Sequence, residues 1–233
     1  MSYSSYTKKY LPSLTDEQCA ALDVIGSCLA EKNKVMNLTA LTDEKGVGLL
    51  HFWDSLTLLS TGYFNGASVI DIGCGGGFPS LPVALCAPDC TVVSNDATRK
   101  KLDFVAETAL AAGIKNLSLL PGRAEELSLE KNYRESFDIA MSRGVARLNV
   151  LCEWCLPFVK VGGCFLAMKG EKSVAEAEEA KNAIKILGGE VVDIISFNVP
   201  EYDYLHTIAV IKKVKNTPNG YPRKNSAIMK KPL

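Results

Sequence analysis

Apolar residues in the first quarter of the chain recur every three or four positions, which is the period of an amphipathic helix. One stripe consists of Cys19, Leu22, Ile25 and Leu29, and a second consists of Leu49, Phe52, Trp53, Leu56 and Leu59. The first stripe predicts a helix from Thr15, which has the capping-box spacing to Gln18, to about Lys32. The second predicts a helix that opens at Thr42-Asp43. The first ten residues are expected to be only loosely ordered.

The polar side of the second helix carries His51, Asp54 and Ser55. A histidine and an aspartate three positions apart on an exposed helical face most often hydrogen-bond locally, so we expect a surface position for them. A catalytic cluster is the alternative.

From Ser68 onward, short apolar runs alternate with helical stretches. The predicted strands cover 68–72, 91–95, 117–120, 137–142, 164–168, 190–197 and 207–212, and the predicted helices cover 80–87, 99–112, 149–156 and 174–187. This order is typical of a doubly wound, Rossmann-like α/β sheet, mostly parallel. The last two predicted strands are joined by a loop too short for a helical crossover, which predicts an antiparallel edge.

A glycine-rich turn, Asp71-Ile72-Gly73-Cys74-Gly75-Gly76-Gly77-Phe78-Pro79, follows the first predicted strand. Gly73, Gly75 and Gly77 permit positive φ angles and let a ligand approach the backbone closely. Such turns bind either a dinucleotide or S-adenosylmethionine, and the dinucleotide version requires a third glycine where this chain has Phe78. The turn therefore favours S-adenosylmethionine, with an NAD-type dehydrogenase as the alternative. Asp71 either binds the cofactor's amino group or supports the turn.

Ligands of open α/β sheets bind beyond the carboxyl ends of the strands, so the residues that follow the other strands are also candidates. Asp96 ends the second strand, where a carboxylate can accept both ribose hydroxyls of an adenosine. Gly122-Arg123-Ala124-Glu125-Glu126 follows the third, where a backbone N–H and a side-chain acceptor can read an adenine edge. A solvated surface position for Glu125 is the alternative.

The fourth strand is followed by Ser142-Arg143-Gly144-Val145-Ala146-Arg147. This segment has neither the Asn/Asp-Pro-Pro-aromatic motif of enzymes that methylate exocyclic amines nor the cysteine that attacks cytosine. Arg143 and Arg147 suit a phosphate, a carboxylate or a guanine edge, although a salt-bridged surface pair is the alternative. Lys169 follows the fifth strand and adds a cation to the same rim.

The composition excludes several classes of protein. The 26 basic and 26 acidic residues give no net charge, which argues against a protein that coats nucleic acid, although residues 212–231 carry seven basic residues and no acid. No apolar run approaches the ~18 residues of a membrane span, and the first residues do not resemble a signal peptide, so we expect a cytoplasmic protein without a membrane association.

The eight cysteines lie mostly in apolar segments and are expected to be buried thiols. Cys152-Glu153-Trp154-Cys155 has C-x-x-C spacing, but no second pair or histidine cluster accompanies it, so no metal site is predicted. We expect an N-terminal helical extension (1–66), a catalytic domain (67–215) and a basic C-terminal surface arm (216–233). The expected oligomeric state is a monomer.

Taken as an ordered set, several segments resemble the glucose-inhibited division protein B family, otherwise ribosomal small subunit methyltransferase G. The resemblance covers nearly the whole chain and rests on Asn37-Leu38-Thr39-Ala40, His51-Phe52-Trp53-Asp54-Ser55-Leu56, the glycine turn, Lys100-Lys101-Leu102-Asp103-Phe104, Arg123-Ala124-Glu125, Ser142-Arg143-Gly144-Val145-Ala146-Arg147-Leu148, Lys169-Gly170, Asn216-Thr217-Pro218 and Tyr221-Pro222-Arg223-Lys224. Two positions depart from the family pattern: Asn95-Asp96 stands near the place of an Asp-Ser pair, and Leu205-His206 stands where Arg-His is common.

The resemblance implies a class I methyltransferase that transfers a methyl group from S-adenosylmethionine to N7 of guanine 527 in 16S rRNA of the small ribosomal subunit. It implies that Gly73 and Phe78 line the methionine and adenosine part of the cofactor site, Ala124-Glu125 its adenine, and Arg143 the reaction rim. Guanine N7 has a free lone pair, so no general base is needed, and Arg143 with Arg147 or Lys169 is expected to hold O6 or a phosphate. A non-catalytic RNA-binding or ribosome-assembly module is the alternative.

Overall fold

The computed structural model describes every residue from Met1 to Leu233 and begins with a helical region. Helix α1 covers Tyr3–Tyr10 and α2 covers Asp16–Met36. A third helical segment combines α3 (Glu44–Gly46), a π-helical turn (Val47–Trp53), α4 (Asp54–Leu56) and a 3₁₀ turn (Thr57–Thr61). The expectation that the first ten residues are loosely ordered is wrong, because α1 packs against both α2 and the π-helical turn.

The start of α2 follows the predicted capping box. The Thr15 hydroxyl accepts a hydrogen bond from the Gln18 backbone N–H at 3.2 Å, and the Gln18 side chain accepts one from the Thr15 N–H at 3.0 Å. The helix ends where Asn37 adopts a left-handed conformation with φ of 47°. It therefore runs one turn beyond the predicted end.

A seven-stranded sheet forms the centre of the molecule, in the order β3-β2-β1-β4-β5-β7-β6. The strands are β1 (Ser68–Ile72), β2 (Thr91–Asp96), β3 (Leu117–Pro121), β4 (Phe137–Arg143), β5 (Val159–Gly170), β6 (Gly189–Asn198) and β7 (Leu205–Lys213). The pairings among β1 to β5 are parallel, and β7 is antiparallel to both neighbours. The predicted doubly wound fold is confirmed. The antiparallel strand lies one place inside the edge, however, because β7 inserts between β5 and β6.

The remaining helices are α5 (Ser80–Cys86), α6 (Arg99–Ala111), α7 (Ala124–Leu127), α8 (Leu148–Cys155), which continues as a 3₁₀ turn (Leu156–Phe158), α9 (Ser173–Ile186) and α10 (Asn225–Lys230). Alternate residues of each central strand enter opposite halves of the core. Ile70 of β1 packs in the half formed with α8 and α9, whereas Val69 packs with residues of α5. No helix has both the length and the apolar composition needed to cross a bilayer.

The C-terminal segment, defined here as residues 214–233, is packed on the core. Thr217 and Ile228 are buried, and Arg223 forms an ion pair with Glu153 of α8. The expectation that this segment is a surface arm is therefore wrong, because the segment packs against the core. Several of its lysines are nevertheless exposed. The division into three regions at residues 66 and 215 stays a prediction.

All eight cysteines are free. Cys152 and Cys155 of the C-x-x-C sequence are fully buried, and this burial raises the pKa of both thiols above the ordinary value. They are packing residues of α8. The structure contains no group of three or more His, Cys, Asp or Glu side chains that could hold a metal ion.

Candidate active site

Two adjoining cavities open at the carboxyl ends of β1 to β4. The first has a volume of about 300 Å³ and the second of about 180 Å³. Gly73, Asp96 and Val145 line both, so the two cavities form one cleft that is narrowed in the middle. This is the place that the fold predicts for a ligand.

The glycine turn supplies the floor of the cleft. The backbone N–H groups of Gly73 and Cys74 both donate to the Asn95 carbonyl at 2.9 Å, which ties the turn to the end of β2. Gly73 has φ of 73°, and a Cβ at this position would lie 2.8 Å from Cγ2 of Val145. Only glycine fits there without closing the narrow part of the cleft.

The glycines of the turn have different roles. Gly75 lines the first cavity, and the nearest atom to a Cβ there would be the Gly73 carbonyl oxygen at 4.0 Å. Gly77 lines neither cavity, and a Cβ there would lie 2.5 Å from Cδ1 of Leu81. Gly77 therefore allows α5 to pack closely on the turn, which differs from the expected position beside the cofactor.

Asp71 lies beneath the turn, outside the lining of both cavities. Its carboxylate accepts a hydrogen bond from the Ser80 backbone N–H at 3.1 Å, at the start of α5. Burial raises the pKa of Asp71 to about 7, because the charged carboxylate is removed from water. The geometry supports the second of the two expectations: Asp71 holds the turn in place rather than lining the cofactor cleft.

Asp96 lies where the two cavities meet. One carboxylate oxygen accepts from the Gly75 N–H at 3.2 Å and the other from the Thr98 N–H at 2.7 Å. The ammonium group of Lys101 lies 3.7 Å from the first of these oxygens. The carboxylate is thus fixed at the position in the cleft expected for a ribose-binding acid.

The second cavity is lined by Ala124 and Glu125 of α7, as predicted. Glu125 is 6% exposed, so the surface alternative is wrong, and its Oε1 atom has no hydrogen-bond partner. Trp154 and Asn225 also line this cavity, and the Trp154 indole nitrogen and the Asn225 side-chain oxygen are likewise buried without partners. Sequence reasoning missed both residues, since neither follows a strand or belongs to a recognised binding motif.

Arg143 lies in the first cavity and is held by the helical segment before β1. Its Nη1 atom donates to the Leu50 carbonyl and to the Asp54 carboxylate, both at 2.9 Å. Its Nη2 atom lies 2.9 Å from Nδ1 of His51, and its guanidinium carbon lies 5.5 Å from the centre of the Phe78 ring. The remaining donors, Nε–H and one N–H of Nη2, have no protein partner.

These contacts determine the tautomer of His51. An arginine can only donate, so Nδ1 of His51 accepts, and its Nε2–H donates to the Thr39 hydroxyl at 2.8 Å. Burial, with a smaller contribution from the Arg143 charge, lowers the pKa of His51 from 6.5 to about 3. The ring stacks on Phe78 with 4.5 Å between centroids. His51 is therefore a neutral imidazole with both nitrogens occupied.

Asp54 is the second anchor of Arg143. It is 1% exposed, and its other carboxylate oxygen lies 2.5 Å from Nδ1 of His206 in β7. The expectation that His51, Asp54 and Ser55 lie on a solvent-exposed face is wrong. Leu49, Phe52, Trp53 and Leu56 are buried as predicted, but the opposite face is buried against the ends of β4 and β7.

The π-helical turn explains why a regular helical period did not predict the burial of the face that carries His51, Asp54 and Ser55. The Asp54 N–H donates to the Leu49 carbonyl five residues earlier and to the His51 carbonyl three residues earlier, whereas an α-helix would use the carbonyl four residues back. One additional residue in a turn rotates all later side chains by roughly 100° about the helix axis. The family-like run His51 to Leu56 was the one sequence signal that could have identified this network.

Arg147 and Lys169 line neither cavity. Arg147 is exposed and pairs with Glu179 of α9. The Lys169 ammonium group lies 2.7 Å from the Glu176 carboxylate and donates to the Ala146 carbonyl at 2.7 Å. Of the three cations predicted at the reaction rim, the structure therefore brings only Arg143 into the cleft.

The cleft suits a ligand that combines an adenosine with an amino acid. The glycine turn lets such a molecule approach the backbone, Asp96 lies at the centre, and the second cavity presents both acceptors and an indole donor without partners. An adenine ring carries one exocyclic amine and several ring nitrogens, which match these groups.

Solved structures with a similar fold agree with this interpretation. TrmN from Thermus thermophilus has a TM-score of 0.54 and 19% identity, over 70% of this chain and 48% of that chain. TYW2 from M. jannaschii, determined in complex with AdoMet, has a TM-score of 0.53 and 14% identity, over 69% of this chain and 77% of that chain. The fold is that of the class I methyltransferases, whose methyl donor is S-adenosylmethionine.

Sequence comparison then identifies the family. The GidB family model, described as rRNA small subunit methyltransferase G, matches residues 18–203. Curated relatives named Ribosomal RNA small subunit methyltransferase G from Alkaliphilus oremlandii and Brevibacillus brevis are each 43% identical to this chain. These alignments cover 94% and 95% of this chain and 92% and 93% of the relatives, respectively. The chain belongs to the rRNA small subunit methyltransferase G family, so the predicted resemblance is confirmed. Neither the dehydrogenase nor the non-catalytic alternative is favoured.

Proposed function

We propose that this enzyme methylates N7 of guanine 527 in 16S rRNA of the small ribosomal subunit or of its assembly intermediate. The family assignment supports the rRNA substrate. The choice of N7 rests on Arg143, which has two N–H donors available to a base edge. Arg143 lies in the first cavity, where the nitrogens of His51 and the oxygens of Asp96 are already hydrogen-bonded.

The chemistry of N7 suits such a cleft. The N7 lone pair attacks the methyl carbon directly, and no proton must be removed before or after the transfer. Both nitrogens of His51 are occupied, and both oxygens of Asp96 accept backbone hydrogen bonds. A methyl transfer to an exocyclic amine would instead require an acceptor for a proton.

Arg143 has the main role in substrate positioning in this proposal. Its free donors suit the O6 atom of guanine or a neighbouring phosphate, and either contact would direct N7 toward the cofactor. The guanine ring becomes positively charged on methylation, so the guanidinium group belongs near O6 rather than near the imidazole part of the ring. S-Adenosylmethionine supplies the electrophilic methyl group, and the protein supplies alignment and exclusion of water.

The cations outside the cleft are assigned to the RNA backbone. Arg147 is exposed, and an exposed ion pair such as that with Glu179 is worth less than about 1 kcal/mol. Arg147 can therefore leave the Glu179 carboxylate and bind a phosphate of the RNA instead. Lys169 is held closer to the protein by Glu176, and we assign it to the same rim. We further propose that the enzyme acts in the cytoplasm as a monomer.

Incubation with labelled S-adenosylmethionine and small ribosomal subunits from a strain lacking the methyl group tests the proposal. Label is expected in 16S rRNA, and chemical cleavage at N7-methylguanine should map it to position 527. Naked 16S rRNA, assayed in parallel, identifies the preferred form of the substrate. Label at another atom or position, or no label, would contradict the proposal.

The role of Arg143 is tested by the Arg143→Ala variant, with Arg99→Ala as the matched control because Arg99 forms only an exposed ion pair. Loss of charge-assisted hydrogen bonds should lower kcat/KM for methylation about 10- to 150-fold, with a smaller change in cofactor affinity. Wild-type methylation together with weaker cofactor binding would reassign Arg143 to the cofactor.

A further inference from the structure

The second cavity has one wall that comes from the end of the chain. Asn225, the first residue of α10, lines this cavity together with Trp154 of α8 and Glu125 of α7. The C-terminal segment thus reaches a cleft that lies at the carboxyl ends of the strands.

The first half of the segment is anchored by the loop before β4. Nη1 of Arg134 donates to the Tyr221 carbonyl and Nη2 to the Thr217 carbonyl, each at 2.9 Å. The Thr217 N–H donates to the Glu135 carboxylate at 2.6 Å, and the Lys213 ammonium group donates to the Thr217 hydroxyl at 2.5 Å. Several of these groups are buried, so the path of the chain is fixed up to Tyr221.

The second half is anchored on α8 by Arg223. Its Nη2 and Nε atoms donate to the two oxygens of Glu153 at 2.7 and 2.9 Å, and its backbone N–H donates to Glu153 at 2.8 Å. Glu153 is fully buried, and Arg223 is its ion-pair partner. Because Glu153 precedes Trp154 in the chain, the anchor lies directly beside the cavity wall. Two residues beyond Arg223, the chain reaches Asn225.

Three polar atoms in this cavity lack hydrogen-bond partners, and one of them, Oε1 of Glu125, has only the Arg123 guanidinium at 4.0 Å. Oε1 of Glu125, Nε1 of Trp154 and Oδ1 of Asn225 are all buried and make no hydrogen bond. A buried polar group without a hydrogen-bond partner is unfavourable, and three such groups around one cavity indicate a ligand that completes them. The set contains one donor and two acceptors.

We infer that the C-terminal segment is part of the cofactor site, in which Asn225 and Trp154 bind the adenine ring together with Glu125. The side-chain oxygens of Asn225 and Glu125 accept hydrogen bonds from the exocyclic amine, and the indole N–H of Trp154 donates to a ring nitrogen. The inference rests on the adenine position assigned to the second cavity and does not depend on which rRNA base is methylated.

Binding of S-adenosylhomocysteine, measured by calorimetry, tests the inference without any methylation assay. The second ligand is the 6-deamino analogue, in which a hydrogen atom replaces the exocyclic amine. Asn225→Ala should weaken S-adenosylhomocysteine about three- to tenfold and the analogue by less, since one neutral hydrogen bond is lost only with the amine. The matched control is Ser226→Ala, because Ser226 is exposed and lies outside the cavity, and its affinities should equal those of the wild type.

Trp154→Phe keeps an aromatic ring and removes only the N–H. It should weaken both ligands equally, about three- to tenfold, because the ring nitrogens are present in both. Unchanged affinity for S-adenosylhomocysteine in Asn225→Ala, or an equal loss for both ligands in that variant, would overturn the direct contact with the amine.

Hydrogen exchange of the wild-type protein gives a test that does not depend on variants. Saturating S-adenosylhomocysteine should slow amide exchange in residues 221–231, because the ligand bridges α10 to the rest of the cleft. Equal exchange with and without the ligand would overturn the inference. A failure of rRNA methylation with normal cofactor binding would instead count only against the proposed function.

Discussion

Replacement of Asp54 by asparagine perturbs the network that holds Arg143. The variant keeps the shape of the side chain and removes its charge. In the wild type, the Asp54 carboxylate accepts from Arg143 at 2.9 Å and lies 2.5 Å from Nδ1 of His206, and its side chain is 2% exposed. An asparagine has one side-chain oxygen and can accept from only one of these two partners, so the other partner meets the NH₂ group instead of a carboxylate oxygen.

The expected loss of stability follows from these contacts. Breaking a buried ion pair costs about 3–5 kcal/mol, and losing a hydrogen bond to a charged group costs about 1.5–3 kcal/mol. The Arg143 side chain is 17% exposed and keeps its contacts with Leu50 and His51, so the lower range applies. We expect Asp54→Asn to lower the free energy of unfolding by about 2–3 kcal/mol, or Tm by roughly 4–12 °C.

Urea denaturation and methylation assays measure the two effects. Asp103→Asn is the control for stability, because Asp103 forms an exposed ion pair with Arg99 and should cost less than about 0.5 kcal/mol. A double-mutant cycle then isolates the effect on activity. Asp54→Asn should lower kcat/KM about tenfold or more in the wild-type background and much less in an Arg143→Ala background, because Asp54 acts through the arginine.

Two results would refute this reasoning. The first is a stability loss no larger than that of the Asp103 control, which would mean that the buried network carries no net energy. The second is an equal loss of activity in both backgrounds, which would mean that Asp54 affects catalysis by a route that does not involve Arg143.

Three further predictions concern the cleft. Gly73→Ala should weaken cofactor binding at least tenfold, because its Cβ would lie 2.8 Å from Val145. The control is Gly66→Ala, which has a similar positive φ and no neighbour within 4 Å, and which should cost only backbone strain of about 1–2 kcal/mol. Calorimetry measures cofactor affinity and urea denaturation measures stability, and equal cofactor affinities of the two variants would contradict the prediction. The pKa of His51 is about 3 in the folded protein and 6.5 in the unfolded chain, so the unfolded chain binds a proton first as the pH falls. Stability is therefore lost between these two pH values, by up to ~1.4 kcal/mol per pH unit. His51→Gln should remove this part of the acid dependence in urea titrations at pH 7.5 and 5, and an unchanged dependence would count against a neutral buried imidazole. Burial raises the pKa of the Cys74 thiol well above its ordinary value, so Cys74→Ala should retain methylation within about threefold, and a larger loss in a stable variant would indicate a chemical role for the thiol.

The sequence pattern predicted most of the fold because strands and helices with a buried face keep a regular period. All seven strands were identified, and apart from β5 their ends agree with the structure within two residues. Strand β5 begins at Val159 rather than at residue 164, since Gly162 and Gly163 interrupt the apolar run without ending the strand. Helices α1 and α10 are short and polar, and their order comes from tertiary packing that no local pattern reveals.

The floor of the cleft was predictable, and its walls were not. Gly73, Asp96 and Glu125 follow strands, so the topology alone brings them together. His51 reaches the cleft, and Asp54 reaches Arg143, because a π-helical turn alters the helical phase. Trp154 and Asn225 reach the cleft through contacts between distant segments. Local patterns carry no information on either arrangement.

The bond between Asp54 and His206 has a consequence for how the enzyme is made. The two residues are 152 positions apart, and Arg143 is 89 positions from Asp54. At about 5–20 residues per second, a ribosome needs roughly 8–30 s after Asp54 to add the histidine. Until Arg143 is added the carboxylate lacks both partners, and until His206 is added it lacks one. A nascent chain therefore cannot assemble the network of Asp54, Arg143 and His206 before residue 206 has left the ribosome.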